Sequence, residues 1–427
     1  MHDFIRNLTW RGMIHDITPD LEAHLKKGMM SGYIGFDPTA SSLHVGNLAT
    51  IMLLKHFQLA GHKPIAVVGG ATGMIGDPSF KAAERKFLSE EELSYNQSYI
   101  MKQLARFLDF SSGANSAELL NNIDWFQSMS FLKFLREVGK HVSVNYMMAK
   151  ESVKRRLEDG ISFTEFSYQL MQGYDFYYLY TSRGVRLQMG GADQWGNLTT
   201  GIELIRRKAS EEAFALTTPL ITKADGSKFG KSEQGNIWLD PTMTSPYEFY
   251  QFWLNCTDED AIRLIKVFTL LDREVIEALI QAHAREPHQR ILQKEIAKEL
   301  TIRVHSEADY MQAAKTSELL FGRATPADLW SLGEKDFKII FKSIPEIEIS
   351  QADLNTMEHV IDLVASTGAG IMFNSKAEVR RAIQEGSLYV NKEKVTDPYQ
   401  KPDFRLLQDK YLLVQRGKKH HYLIKVI

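Results

Sequence analysis

The chain of 427 residues holds one cysteine, Cys256. An intrachain disulfide and a thiolate metal cluster are therefore both excluded. No stretch reaches the roughly 18 consecutive apolar residues of a membrane-spanning helix. The opening MHDFIRNLTWRG lacks an apolar core of signal-peptide length. Net charge is scarce as well: the formal value of −2 gives no global attraction to nucleic acid. Low-complexity tracts and internal repeats are missing. What remains is 44% apolar and 24% charged residues, a globular composition in a chain long enough for two or three domains. A cytoplasmic enzyme or binding protein with no membrane association is expected. The charge is uneven, however. From residue 355 onward twelve Lys and Arg face eight Asp and Glu, so a mildly basic end follows an acidic body and hints at an RNA- or DNA-binding appendage.

Two short apolar runs, MMSGYIGF (29–36) and KPIAVVG (63–69), read as buried strands on either side of an amphipathic helix at about 44–60. Strand, helix and strand with short connections imply a parallel sheet. Helices are expected at 90–108, 130–159 and 164–180, with a strand at about 119–125. A last strand, 185–189, runs into GGADQWGN and a helix at about 194–208. The first 220 or so residues thus read as an open α/β sheet with a helical insertion. From Ser245 to about 323 the pattern is helical, 324–354 reads as a connector, and the end mixes one helix with short strands.

Four stretches carry the chemistry, and each alone also reads as ordinary surface or turn. LHVGN (43–47) opens the first long helix with residues that form helices poorly. A polar first turn beside a glycine suits an anion, because unpaired N–H groups and the helix dipole meet there. Asp37 and Thr39 lie just upstream. The loop GGATGMIGDPS (69–79) brings four glycines after a strand, yet lacks the Gly-Lys-Ser/Thr of a P-loop. Lys81 and Arg85 follow it. On the helix TEFSYQLMQGYDFYYLY, Tyr168, Gln172 and Asp175 are spaced i, i+4, i+7. They fall within about 60° of one another and make a polar face suited to a small ligand with an amine and a hydroxyl. KFGKS (228–232) pairs Lys228 and Lys231 around a glycine, a clamp for a polyphosphate tail.

Together these stretches resemble the class I aminoacyl-tRNA synthetases, and specifically the bacterial tyrosyl-tRNA synthetases. The resemblance runs the length of the chain, through GGATGMIGDPSFKAAERK, ISFTEFSYQLMQGYDF, DQWGN, PLITKADGSKFGKSE and TSPYEFYQFW. Asn47 stands where the class signature commonly ends in histidine, and Phe229 and Gly230 replace the common Met and Ser. The resemblance implies a Rossmann-like parallel-sheet catalytic domain with a helical dimerisation insertion over 1–225 and a loop and linker over 226–244. It further implies an α-helical anticodon-side domain over 245–330, a linker over 331–354, and a small α+β S4-like RNA-binding domain over 355–427. It implies that Tyr33 and Asp175 bond the tyrosine phenol, that Asp77, Tyr168 and Gln172 hold the α-ammonium, and that Gln194 lies by the carboxylate and α-phosphate. Gly35, Asp37, Gly46, Gly191 and Asp193 fall to ATP. Thr39, His44 and Asn47 meet its phosphates or ribose, and Lys81, Arg85, Lys228, Lys231 and Ser232 close over pyrophosphate. Magnesium is expected with ATP, and no protein metal site is expected. L-Tyrosine, ATP, tRNA(Tyr) and a second copy of the chain are the implied partners. Phe163 is placed at the dimer contact and Arg206 and Arg207 at the tRNA.

An attacking carboxylate is already ionised at neutral pH and needs no general base, which fits the lack of a Ser-His-Asp or Cys-His constellation. Positioning and charge stabilisation are then the whole of the catalysis. Three other readings compete. A tryptophanyl enzyme would have no use for Tyr33 with Asp175 as a phenol reader. An RNA-binding or splicing protein that kept the fold and lost catalysis would not need His44, Lys228 and Lys231. A nucleotidyltransferase making a small-molecule cofactor would not need the S4-like tail.

Overall fold

The computed structural model describes residues 3–77, 79, 88–111, 113–150, 153–154, 160–232, 235–322, 325–341, 344–366, 372–417 and 420–427. It divides into two compact units, Met1–Thr244 with Phe252–Val304, and Ser245–Gln251 with His305–Ile427.

The first unit is built on a six-stranded sheet. In chain order its elements are β1 (Asp16–Ile17), β2 (Ser31–Phe36), helix α1 (Leu48–Leu59), β3 (Lys63–Val68), α2 (Glu90–Phe107), β4 (Glu118–Asn121), α3 (Phe163–Arg183), β5 (Leu187–Gly191), α4 (Trp195–Ala209) and β6 (Phe214–Thr218). The strand order is β1-β6-β5-β2-β3-β4. Only the short β1 runs antiparallel to its neighbour; the other pairs are parallel. The expected α/β class is therefore observed, with β1 and β6 as strands that periodicity does not reveal. Within β3 the run 64–68 is apolar and buried throughout, as in a strand covered on both faces.

Several boundaries differ from expectation for physical reasons. The segment from 44 is a 3₁₀ turn, Val45–Asn47, followed by α1. α1 is not amphipathic: Leu48, Ile51, Met52, Leu53, Leu54 and Phe57 are all buried around its circumference. A helix apolar all round must be covered on every side, and helix Asp258–Phe268 packs against it as well as the sheet. That explains why 252–304 joins the first unit instead of standing apart from it. The long helix expected at 130–159 is broken into Phe131–Glu137, Gly139–His141 and Val144–Met148. β4 ends at Asn121, and a helical turn, Ile123–Phe126, follows where strand was expected.

The second unit holds a five-stranded sheet in the order Glu393–Lys394, Leu388–Val390, Tyr411–Arg416, His420–Val426, Glu346–Ile349. Helix Lys376–Gln384, capped by the Ser375 hydroxyl, lays Val379, Ala382 and Ile383 on its core. The stretch expected as a linker, 331–354, contains helix Glu334–Ile340 and the edge strand Glu346–Ile349, which pairs in parallel with the final strand. The pairing partner lies some 75 residues away, so local pattern gives no sign of it.

Candidate active site

In the first unit the chain leaves β2 toward β3 and β4, then returns on the other side of β2 to form β5 and β6. The carboxyl ends of β2 and β5 thus flank the switch point where open α/β sheets bind ligands. A cavity of about 360 Å³ opens there. Gly35, Asp37 and Thr39 line it from the end of β2, and His44, Gly46 and Asn47 from the turn that follows. Asp77 enters from the glycine loop, Tyr168, Gln172 and Asp175 from α3, and Gly191, Asp193 and Gln194 from the end of β5. With Tyr33, fourteen of the residues singled out in the sequence line this one cavity. On the polar face of α3 Tyr168 and Asp175 are buried, at 5% and 4% exposure, and Gln172 is half-buried, which rules out the reading of a solvated stripe.

At one end of the cavity the Tyr33 hydroxyl is buried and has no hydrogen-bond partner among the described residues. Beside it, Asp175 accepts from Trp125 Nε1 at 2.8 Å and from Asn122 Nδ2 at 3.1 Å. Burial pushes its carboxyl up to about 7, against the pull of the Asn122 and Trp125 donors. Burial likewise raises the Tyr33 phenol well above its ordinary value, with the Asp175 charge adding to it. A hydroxyl donor and a carboxylate acceptor at one spot match a ligand group that both accepts and donates.

The raised Asp175 carboxyl has a stability consequence. The folded state holds this proton more tightly than the unfolded chain does. Its contribution is therefore fully present below the ordinary carboxylate range and is lost as pH rises toward 7. Asp175→Asn removes that titration. The variant's melting temperature relative to the parent is expected to rise between pH 5 and pH 8, by at most about 1.4 kcal/mol of stability per pH unit. Thermal unfolding at the two values tests this; an unchanged difference contradicts it.

At the other end of the wall, the Tyr168 hydroxyl donates to Asp37 Oδ2 at 2.8 Å, and Thr72 Oγ1 donates to Asp37 Oδ1 at 2.8 Å. Asp77 accepts from Gln194 Nε2 at 2.6 Å and from the Ser79 N–H at 3.0 Å.

The turn at the mouth is tightly specified. The Gly46 N–H donates to His44 Nδ1 at 3.0 Å, and the His44 N–H donates to Asn47 Oδ1 at 3.0 Å. A neutral His44 ring therefore carries its proton on Nε2, and the Asn47 amide keeps its nitrogen as a donor. The Trp238 ring meets His44 edge to face at 5.9 Å.

Lys228 and Lys231 are exposed and lie off the cavity wall, but their loop is seated against it. Phe229 stacks on Phe268 with ring centroids 5.8 Å apart. A ladder of backbone bonds then joins Ile237 N–H to Gly230 O and Val45 N–H to Ile237 O. Gly230 has φ of +83°, and a Cβ there would come within 2.8 Å of Val45 Cγ2. The two stretches that sequence pairs only by their chemistry are thus one hydrogen-bonded assembly. Ser232 sits in the short strand Lys231–Ser232, and Lys81 and Arg85 lie outside the described residues.

Asn122, Trp125, Thr72, Trp238 and Asn197 escaped the sequence reading. Asn122 directly follows the end of β4, in the crevice the sheet topology marks out. Asn197 belongs to the quoted DQWGN itself.

Residues 25–322 match the family described as tRNA synthetases class I (W and Y), and residues 336–424 the one described as Tyrosine–tRNA ligase SYY-like C-terminal domain. A tyrosine–tRNA ligase of Amoebophilus asiaticus is 82% identical over 426 residues, spanning both chains in full. One of Cytophaga hutchinsonii is 59% identical over 425 residues, again spanning both. Among solved structures, a C-terminally truncated mitochondrial tyrosyl-tRNA synthetase of Aspergillus nidulans superposes with a TM-score of 0.69 at 28% identity, over 75% of this chain and 95% of that one. A tryptophanyl-tRNA synthetase of Plasmodium falciparum, at 13% identity and a TM-score of 0.51, covers 78% of this chain and 87% of its own, and shares the fold.

Proposed function

The chain belongs to the class I tyrosyl-tRNA synthetases, and from that premise we propose how its site joins L-tyrosine to tRNA(Tyr) with ATP. A tyrosine carboxylate oxygen attacks the α-phosphorus of ATP. The bond from that phosphorus to the bridging oxygen breaks, and pyrophosphate leaves with the electron pair, giving tyrosyl-adenylate. The terminal ribose hydroxyl of tRNA then attacks the activated carbonyl and loses its proton, and AMP departs. ATP enters as its magnesium complex, part of the substrate; among the described residues no group of three or more His, Cys, Asp or Glu side chains gathers to hold a metal.

The observation that carries the amino-acid assignment is the unpartnered Tyr33 hydroxyl beside Asp175. Tyr33 donates to the phenol oxygen and Asp175 accepts its proton. An indole N–H only donates and a phenyl ring does neither, so tryptophan and phenylalanine leave one or both groups unmatched. The α-ammonium goes to Asp77, Tyr168 and Gln172. Tyr168 spends its proton on Asp37, which leaves its oxygen to accept. Gln194 lies by the carboxylate and α-phosphate, with Gly35, Asp37, Gly46, Gly191 and Asp193 along the nucleotide. Thr39, His44 and Asn47 face the phosphates. Lys228, Lys231, Ser232, Lys81 and Arg85 are assigned to the departing pyrophosphate. Full-length protein is expected to esterify radiolabelled tyrosine to a tRNA(Tyr) transcript in the presence of ATP. Adenylate formation without any charging would contradict the second step.

The protein is proposed to act as a homodimer in the cytoplasm. No helix among the described residues is long and apolar enough to cross a membrane. On the insertion between β4 and β5, Phe131, Leu132, Leu135, Val144, Met148 and Phe163 are exposed, Leu132 at 77% and Phe163 at 68%. So many bare apolar side chains on one insertion mark a protein contact. Sedimentation is expected to give twice the 48.7 kDa chain mass, and Leu132→Asp with Phe163→Asp to give the single-chain mass. A monomeric parent would contradict the assignment. In the second unit, Lys376, Arg380 and Arg381 are exposed on helix Lys376–Gln384 and are proposed to meet tRNA phosphates, together with Arg206 and Arg207 of α4. The latter two are already paired with Glu203, which tempers their pull on RNA.

A further inference from the structure

Asn197 lies in the first turn of α4, buried at 3% exposure and behind the cavity wall instead of on it. Its side-chain nitrogen is 2.9 Å from Gln172 Oε1, 3.3 Å from Gln194 Oε1, and 3.4 Å from both Asp77 Oδ1 and Ser79 Oγ. One amide NH₂ thus faces acceptors from α3, from the end of β5 and from the glycine loop. It reaches them because α3 and α4 cross closely. Gly173 faces Thr200 and Gly201, and a Cβ on Gly201 would meet the Phe176 side chain at 2.8 Å. Gln172 is the neighbour of Gly173 in sequence.

We propose that Asn197 is a positioning residue that fixes the amide orientations of Gln172 and Gln194, so that the α-ammonium of tyrosine meets acceptors only. The proposal rests on the assignment of Asp77, Tyr168 and Gln172 to that ammonium. A glutamine amide turned over presents NH₂ where it had presented oxygen. With Asn197 in place, such a turn sets two donors against each other behind the wall, and for Gln172 it also aims a donor at a triply donating ammonium. Both glutamine oxygens converge on Asn197, while Gln194 Nε2 donates to Asp77 Oδ2 at 2.6 Å. This is the orientation that keeps Asp77 in place and leaves the second lone pair of Gln172 Oε1 for the substrate.

The test compares tyrosine with 3-(4-hydroxyphenyl)propanoate, which keeps the phenol and carboxylate but lacks the amine. Binding of each to the full chain is measured by calorimetry for the parent, Asn197→Ala and the near-isosteric Asn197→Leu, with unfolding midpoints recorded alongside. The parent is expected to prefer tyrosine. Both variants are expected to weaken tyrosine by about tenfold and the amine-free ligand by less than about twofold. In a Gln172→Ala background most of the tyrosine effect of Asn197→Leu should vanish. Equal losses for the two ligands, or an unchanged tyrosine affinity, would overturn the role of Asn197 while leaving the ammonium site standing. A parent that binds both ligands equally would overturn the ammonium assignment itself.

Discussion

Replacing Asp175 by alanine is expected to lower kcat/KM for tyrosine by about 10- to 150-fold in adenylate formation, with little change for phenylalanine. The size follows from what is removed: a buried acceptor for the phenol proton, with hydrogen bonds to a charged group contributing about 1.5–3 kcal/mol each. Trp125 Nε1 also loses its acceptor, while Asn122 Nδ2 keeps its bond to Thr72 Oγ1. Phenylalanine makes no bond there, so its turnover does not depend on the carboxylate, and the preference for tyrosine collapses. The measurement is pyrophosphate exchange at subsaturating amounts of each amino acid. Retained preference would move the reading of the phenol away from this pair.

Lys231→Ala is expected to slow tyrosine activation by about 100- to 1000-fold, the range for removing one group aimed at charge that develops in a transition state. The affinity for tyrosine should hardly move. Lys231 is exposed and is not among the residues that line the cavity holding Tyr33 and Asp175, while its loop is pinned to the His44 turn through Gly230 and Ile237. A group that strengthens its hold as negative charge passes to pyrophosphate lowers the barrier without tightening the ground state. Single-turnover rates against tyrosine concentration separate the two effects. A comparable loss in tyrosine binding would place Lys231 in the amino-acid pocket instead.

The parts of the site that sequence made legible are those whose chemistry is local. Tyr168, Gln172 and Asp175 share a face by helical spacing, and the burial of Tyr168 and Asp175 turns that stripe into cavity lining. LHVGN and KFGKS announce themselves by glycine beside polar groups in turns. What stayed hidden is long-range. The cover over α1 comes from helix Asp258–Phe268, some 200 residues on, so α1 was expected to have a wet face it does not have. The strand Glu346–Ile349 finds its partner in the last seven residues of the chain, so its neighbourhood looked like linker. Asn122 and Asn197 act by holding other side chains, and their contacts exist only once α3, α4 and the sheet are packed. No motif could show that LHVGN and KFGKS form one backbone ladder, because the segment joining them, 237–239, is an ordinary apolar run.

The most direct measurement is ATP–pyrophosphate exchange without tRNA, run separately with tyrosine, phenylalanine and tryptophan. Exchange that is strong with tyrosine and near background with the other two is the expected result, since only a phenol satisfies Tyr33 and Asp175 together. Exchange of similar strength with phenylalanine or tryptophan, or none with tyrosine, would contradict the proposed site.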